Sequence, residues 1–134
     1  MADYGSLQVE LVAADRLVWS GEAKMVIART TEGDVGILPH HAPMLSLMVD
    51  GVVDVQTTDG ETWIAAVDAG FLSVANNRIS ILAEHAEMSH DIDLEKARQD
   101  LERAQSAGEN EDEAAERAAR AWAEARIRAA ETAS

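Results

Sequence analysis

The sequence changes character near residue 90, and this break limits the fold more than any other feature. Residues 1–90 hold seven of the eight glycines, both prolines and 21 of the 24 Val, Ile and Thr residues in the 134-residue chain. Residues 91–134 hold 13 alanines, one glycine (Gly108) and only Ile92, Ile127 and Thr132 as β-branched residues. β-branched side chains pack well on a pleated surface, whereas alanine loses least in a helix. The break therefore predicts a β domain followed by a helical one, in a chain long enough to bury a core without staples.

The first part alternates at period two. Leu7, Val9 and Leu11 share one face, with Gln8 and Glu10 between them. Met25 and Ile27 alternate with Lys24, Val26 and Ala28. Val53 and Val55 alternate with Asp54 and Gln56, and Ile79 and Ile81 with Ser80 and Leu82. Asp59-Gly60 reads as a tight hairpin turn, as does Asn76-Asn77, because Asn tolerates positive φ. Short strands with such turns and no helical pattern between them predict an antiparallel β-sandwich or barrel of eight to ten strands over residues 1–88.

Residues 89–134 predict an antiparallel two-helix hairpin. Leu94, Ala97, Leu101 and Ala104 make one stripe, and Ala118, Trp122, Ala125 and Ala129 a second. Asp91 or Asp93 can cap the first helix. Gly108 suits its end, and Asn110 followed by Glu113 resembles a capping box restarting the chain. Glu111, Asp112 and Glu113 crowd the second helix's first turn, and Arg126 and Arg128 its last turns, as the helix dipole favours. At 1.5 Å per residue, helices over 93–107 and 111–131 would span about 22 and 31 Å, so the second should overhang. A seam with only Leu94, Leu101 and Trp122 as bulky members buries little area and predicts a weakly held hairpin.

Charge and composition remove several function classes. The net charge is −14, with −9 on residues 1–90 and −5 on residues 91–134. A chain this acidic lacks the basic stripe that nucleic acid or an anionic bilayer requires. The absence of cysteine removes disulfides, thiolate metal sites and thiol nucleophiles. The longest uncharged run, Val35 to Val49, is 15 residues long and broken by Gly36, Pro39 and Pro43, too short for a membrane span. The start, Met1-Ala2-Asp3-Tyr4, has no signal-peptide pattern, and a cytoplasmic chain is expected. No phosphate loop or nucleophile elbow occurs. Asp91-x-Asp93 lacks the remaining ligands of a calcium loop, and adjacent His40 and His41 point apart in an extended chain. No metal site and no catalytic residue are expected.

Two features remain open at the level of residue chemistry. Gly33 to Pro43 is either a turn-rich connection or a rigid surface loop presenting His41, Ile37, Leu38, Met44 and Leu45 to a partner. Arg117, Arg120 and Arg128 share a helix face. They serve either in i,i+4 pairs with Glu113, Glu116 and Glu124 or as contacts for an acidic partner once the hairpin opens. A stand-alone adaptor or chaperone with a mobile hairpin, and a small acid–base enzyme, are the rival classes.

The residues Gly33, Gly36, Pro39, His41 and Pro43 match the pattern Gly-x-x-Gly-x-x-Pro-x-His-x-Pro, and here the sequence resembles the epsilon subunit of F-type ATP synthases. Gly70-Phe71-Leu72-Ser73-Val74-Ala75-Asn76-Asn77, followed by Ile79-Ser80-Ile81-Leu82-Ala83, extends the resemblance, which covers essentially the whole chain. The resemblance implies a non-catalytic central-stalk rotor subunit that couples proton-driven rotation to ATP synthesis. Its partners would be the gamma subunit, the ring of c subunits and, when the hairpin extends to inhibit hydrolysis, the catalytic beta subunit. It would be a peripheral protein at the cytoplasmic face of the bacterial plasma membrane, with membrane contact only through partner proteins. Asp34, His41 and Pro43 would face the ring, with Gly33, Gly36 and Pro39 shaping the loop. Arg117, Arg120 and Arg128 would make inhibitory contacts. Residues 1–88 would be the docking domain and 89–134 the regulatory one. The family's Ile-Asp-x-x-Arg-Ala motif for ATP reads Ile92-Asp93-Leu94-Glu95-Lys96-Ala97 here. Lysine keeps the charge but not the planar fork, so ATP would be at most a weak regulatory ligand, and no other cofactor is implied.

Overall fold

The computed structural model describes residues 5–106 and 113–133. Nine strands come first: β1 (Leu7–Ala13), β2 (Arg16–Thr30), β3 (Gly33–Ile37), β4 (Met44–Leu47), β5 (Gly51–Thr57), β6 (Thr62–Val67), β7 (Gly70–Ala75), β8 (Arg78–Ala83) and β9 (Ala86–Met88). A 3-10 turn, Ser89–Asp91, leads to α1 (Leu94–Ser106) and α2 (Glu113–Ala133). The capping roles assigned to Gly108, Asn110, Glu111 and Asp112 lie outside the described residues.

The strands run side by side in the order β4-β7-β8-β1-β2-β5-β6-β9, with β3 on β2. Long β2 joins two layers. Its first half pairs with β1, and its second half with β3 and β5. Every pairing is antiparallel except β1 with β8, which is parallel. Period-two alternation does not distinguish these two cases, because both expose alternate side chains to one face.

The core is filled by Leu7, Val9, Leu11, Val26, Val53, Val55, Leu72, Val74, Ile79 and Ile81, as alternation predicts. On β2 the inward residues are Val26 and Ala28, while Met25 and Ile27 are only half-buried. A register shift between Ala23 and Met25 explains this: it leaves Ala23 and Val26 both at 0% exposure. Asn76 and Asn77 adopt φ of 52° and 61°, the left-handed geometry of a two-residue hairpin, and Gly60 closes the β5–β6 turn with φ of 91°.

β6 departs from alternation. Ile64, Ala65, Ala66 and Val67 are all buried. Ala65 and Val67 face the core between the layers, whereas Ile64 and Ala66 face outward and pack against Ala125 and Ala129 of α2, with Val52, Ile92 and Trp122 around them. The stripe of α2 therefore lies on the sheet rather than in a seam with α1, and Ala118 is exposed. Ala97 and Ala104 of α1 are buried, and Ala123 of α2 is buried as well. Asp93 caps α1, its carboxylate accepting the Lys96 N–H at 3.1 Å.

Gly70 is fixed by its neighbours. A Cβ there would overlap the Leu82 carbonyl oxygen and approach Ala83 Cα to 2.9 Å. Gly70→Ala is expected to lower stability by about 3 kcal/mol, the upper end of overpacking costs, since backbone cannot step aside. Urea denaturation of the two proteins checks it.

Candidate functional site

Three surfaces gather the chemistry, and the first is the loop after β3. Ile37 is fully buried and ends the strand. The chain then turns at Leu38–His41, where the His41 N–H donates to the Leu38 carbonyl at 3.1 Å. His40 takes a left-handed φ of 70°, and its N–H donates to Asn77 Oδ1 at 2.6 Å, so the β7–β8 turn holds the loop in place. The half-buried His41 ring has Nδ1 2.7 Å from the Ala42 carbonyl, which places a proton on Nδ1. Pro39 is half-buried and Pro43 exposed.

Asp34 lies at the other end of β3, exposed, with its Oδ1 accepting from Arg29 Nε at 3.1 Å. The structure thus places Asp34 before β3 ends, and His41 and Pro43 past its end, along one strand rather than in one pocket. Gly33 has a φ of 115° and requires glycine for that reason. Gly36 does not: its φ is ordinary, and an added Cβ would meet nothing within 4 Å.

The second surface is where the hairpin meets the sandwich. Arg126 is buried at 8% exposure, which sequence reasoning missed by counting it as a dipole residue. Its Nη1 donates to Asp100 Oδ2 at 3.1 Å, and its Nε lies 2.9 Å from Glu87 Oε1, an ion-pair contact without hydrogen-bond alignment. One guanidinium thereby ties α2 to α1 and to β9. Asp100 also receives Lys96 Nζ at 3.3 Å and lies 3.6 Å from Arg103 Nη1. The stretch expected to hold ATP is engaged in this arrangement: Ile92 packs beneath α2, Asp93 caps, Lys96 pairs with Asp100, and Ala97 is buried. Arg117, Arg120 and Arg128 are exposed, and Arg128 lines a shallow groove of about 450 Å³ with Leu101 and Glu124.

Burial pushes the Asp100 carboxyl up, but the hydrogen bonds and charges of Lys96 and Arg126 outweigh it and hold the group below its ordinary range. A depressed carboxyl contributes stability that is full above its unfolded pKa, about 4, and is lost as pH falls through the lower folded value. Asp54 has the opposite sign. It lies between Ile27 and Ile64 on the β5 face turned away from the core, its Oδ1 buried and without a partner, and burial raises its pKa. Its contribution is favourable at low pH and is lost as pH rises.

The third surface is apolar and bears no mark in the local sequence pattern. Leu47, Phe71 and Leu82 face one another across β4, β7 and β8, and the row continues through Val12 to Leu17. Residues directly opposed in a sheet point to the same side. Leu47, Phe71, Leu82 and Leu17 are each about half exposed, and Leu45 is 73% exposed beside them. Among the described residues no group of three or more His, Asp or Glu could hold a metal, and no helix is long and apolar enough to cross a membrane.

Two outcomes follow from the ion pairs and from Asp54. Glu87→Ala, which strands a buried cation, is expected to cost about 1–3 kcal/mol, below a fully buried pair because Glu87 and Asp100 are partly solvated, whereas Arg126→Met should cost less. Urea denaturation with amide exchange across α2 measures both. Asp54→Asn should raise stability at pH 7 and lose that advantage at low pH, read from melting temperature against pH.

Comparison with known proteins gives a consistent result. Residues 6–89 match the family described as ATP synthase, Delta/Epsilon chain, beta-sandwich domain. The chain is 54% identical over 103 residues to the ATP synthase epsilon chain of Streptomyces avermitilis, covering 77% of this chain and 83% of that one. It is 43% identical over 121 residues to that of Corynebacterium aurimucosum, covering 90% and 97%. Among solved structures, a chain of the Euglena gracilis mitochondrial ATP synthase (OSCP/F1/c-ring) superposes with a TM-score of 0.79 at 24% identity, covering 93% of this chain and 81% of that one. A chain of the Tetrahymena thermophila central stalk and c-ring gives 0.56 at 16% identity, covering 95% of each. Both show the same fold.

Proposed function

The chain belongs to the epsilon chains of ATP synthase, and from that premise we propose that it serves as a central-stalk rotor subunit with no catalytic group of its own. The observation that carries this reading is the exposed apolar row from Leu47 to Leu17. A monomer has no use for several half-exposed large side chains in register, and an obligate partner covers them. The gamma subunit is that partner. The loop carrying His41 and Pro43, with Asp34 at the head of β3, meets the c-subunit ring. The bare surface over Gly36 suits close approach of another backbone. The protein is peripheral, at the cytoplasmic face of the bacterial plasma membrane, and reaches the bilayer only through these proteins.

The hairpin is the regulatory part. Its contact with β6 is built mainly of alanines, which bury little area, and one buried arginine fixes its position. Release lets the helix carry Arg117, Arg120 and Arg128, already exposed along it, to an acidic segment of the beta subunit. ATP, as a regulatory ligand, would have to compete with Asp100 for Lys96 and Arg126. Calorimetric titration should then give a Kd no tighter than about 1 mM, where binding is worth only about −4 kcal/mol.

The test is ATP hydrolysis by the matching catalytic head, stripped of this chain and reconstituted. The full chain should suppress hydrolysis, and a truncation ending at Met88 should bind without suppressing it. Arg117, Arg120 and Arg128 changed together to Ala should behave like the truncation. Equal hydrolysis with both forms would remove the regulatory role from the hairpin, and failure of both to bind would remove the rotor assignment. Phe71→Asp should abolish co-purification with gamma, since it buries an unpaired charge in the contact.

A further inference from the structure

The apolar row opens, at its β4 end, into a groove of about 660 Å³ whose walls come from two parts of the chain. Leu47, Val49, Gly70 and Phe71 line it from the sandwich, and Ala121 lines it from α2. Gly70 brings no side chain to this lining, and the neighbouring strand backbone at Leu82 leaves no room for one. Asp50 closes one end. Beyond Asp50 a smaller recess of about 310 Å³ adds Glu84, Trp122 and Asp68, the last already paired with His85, whose Nδ1 lies 2.6 Å from Asp68 Oδ2. An apolar channel with carboxylates at one end is complementary to an apolar segment that carries a cation.

We propose that this groove receives a segment of the gamma subunit with apolar side chains along it and a lysine or arginine at the Asp50 end, and that the segment binds only while the hairpin is docked. The proposal rests on the gamma assignment made above and adds to it a coupling between gamma and the hairpin. Ala121 is one wall, so releasing α2 removes part of the site. By linkage, a partner that prefers the docked form stabilises that form to the same degree. Asp50 is a half-buried carboxylate that lines both the groove and the recess, and its Oδ1 accepts from the Ala69 N–H at 2.9 Å. Burial raises its pKa, the Ala69 hydrogen bond opposes this, the nearby Asp68 charge adds to the rise, and its own N–H and the His85 ring act against it. A bound cation would relieve that crowding.

The experiment measures affinity of the full-length chain for purified gamma, together with amide exchange in α2. Ala121→Glu fills the groove and leaves the apolar row untouched. Asp50→Asn keeps the acceptor for Ala69 and removes only the charge. If the proposal holds, Ala121→Glu weakens gamma binding about tenfold or more, and gamma slows exchange across α2 in the native chain but not in this variant. Asp50→Asn then weakens binding severalfold and flattens its salt dependence. Native affinity in Ala121→Glu, or α2 exchange indifferent to gamma, would overturn the coupling while leaving the row as the gamma surface. An unchanged salt dependence in Asp50→Asn overturns the cationic segment. Phe71→Asp separates the two readings: if it too binds gamma normally, the docking face itself is wrong and the groove falls with it.

Discussion

Burial of β6 on both faces organises the molecule. A strand that served the sandwich alone would alternate, with one face in water. Trp63, Ile64, Ala65, Ala66 and Val67 leave no polar face, so the outward side has to be covered. α2 covers it, and its short side chains at Ala125 and Ala129 allow the helix to lie close against Ala66. From this single contact the rest of the arrangement follows. α1 is held at second hand, through α2. The outer face of the β4–β7–β8–β1 layer is left bare, and the cleft beside Phe71 gains a helical wall.

The contact is apolar and small, and its register is set by charge. Alanines slide past one another at little cost, so many placements of α2 on β6 would bury similar area. Arg126 discriminates among them, because a guanidinium taken out of water is tolerated only where Glu87 and Asp100 both reach it. An ion pair of this kind adds little net stability and much specificity. Burial holds the helix to the sheet, and the arginine decides where on the sheet it sits. Such a hairpin is well placed yet not deeply held.

The strand pattern and its turns were legible in the sequence because each rests on local chemistry. Asn76-Asn77 and Asp59-Gly60 form turns wherever strands flank them, and Leu7, Val9 and Leu11 fall inward by alternation alone. The helical half was equally legible from alanine content. What the sequence left open was non-local. Nothing in the residues around Arg126 marks it as buried, since its burial depends on Glu87 nearly 40 positions earlier. The apolar row was invisible because its members come from five strands and look, one at a time, like ordinary surface leucines. The parallel pairing of β1 with β8 was also hidden, since alternation reads the same in either direction. The one legible sign of the docked hairpin was the unbroken apolar run in β6. The glycine, proline and histidine loop showed its spacing but not the separation of Asp34 from His41 along β3.

The parallel pairing has a consequence for how the chain is made. β1 leaves the ribosome early, and β2 can fold back on it at once. Its other edge belongs to β8, about 70 residues later in the sequence. Until that strand emerges, β1 carries an open edge of unpaired backbone groups, the kind of edge that recruits other strands. Closing so long a loop is slow by comparison with forming the hairpins around it. Synthesis of this protein therefore passes through a stage in which a half-built sheet is exposed to its neighbours, and that exposure ends only once β8 has emerged.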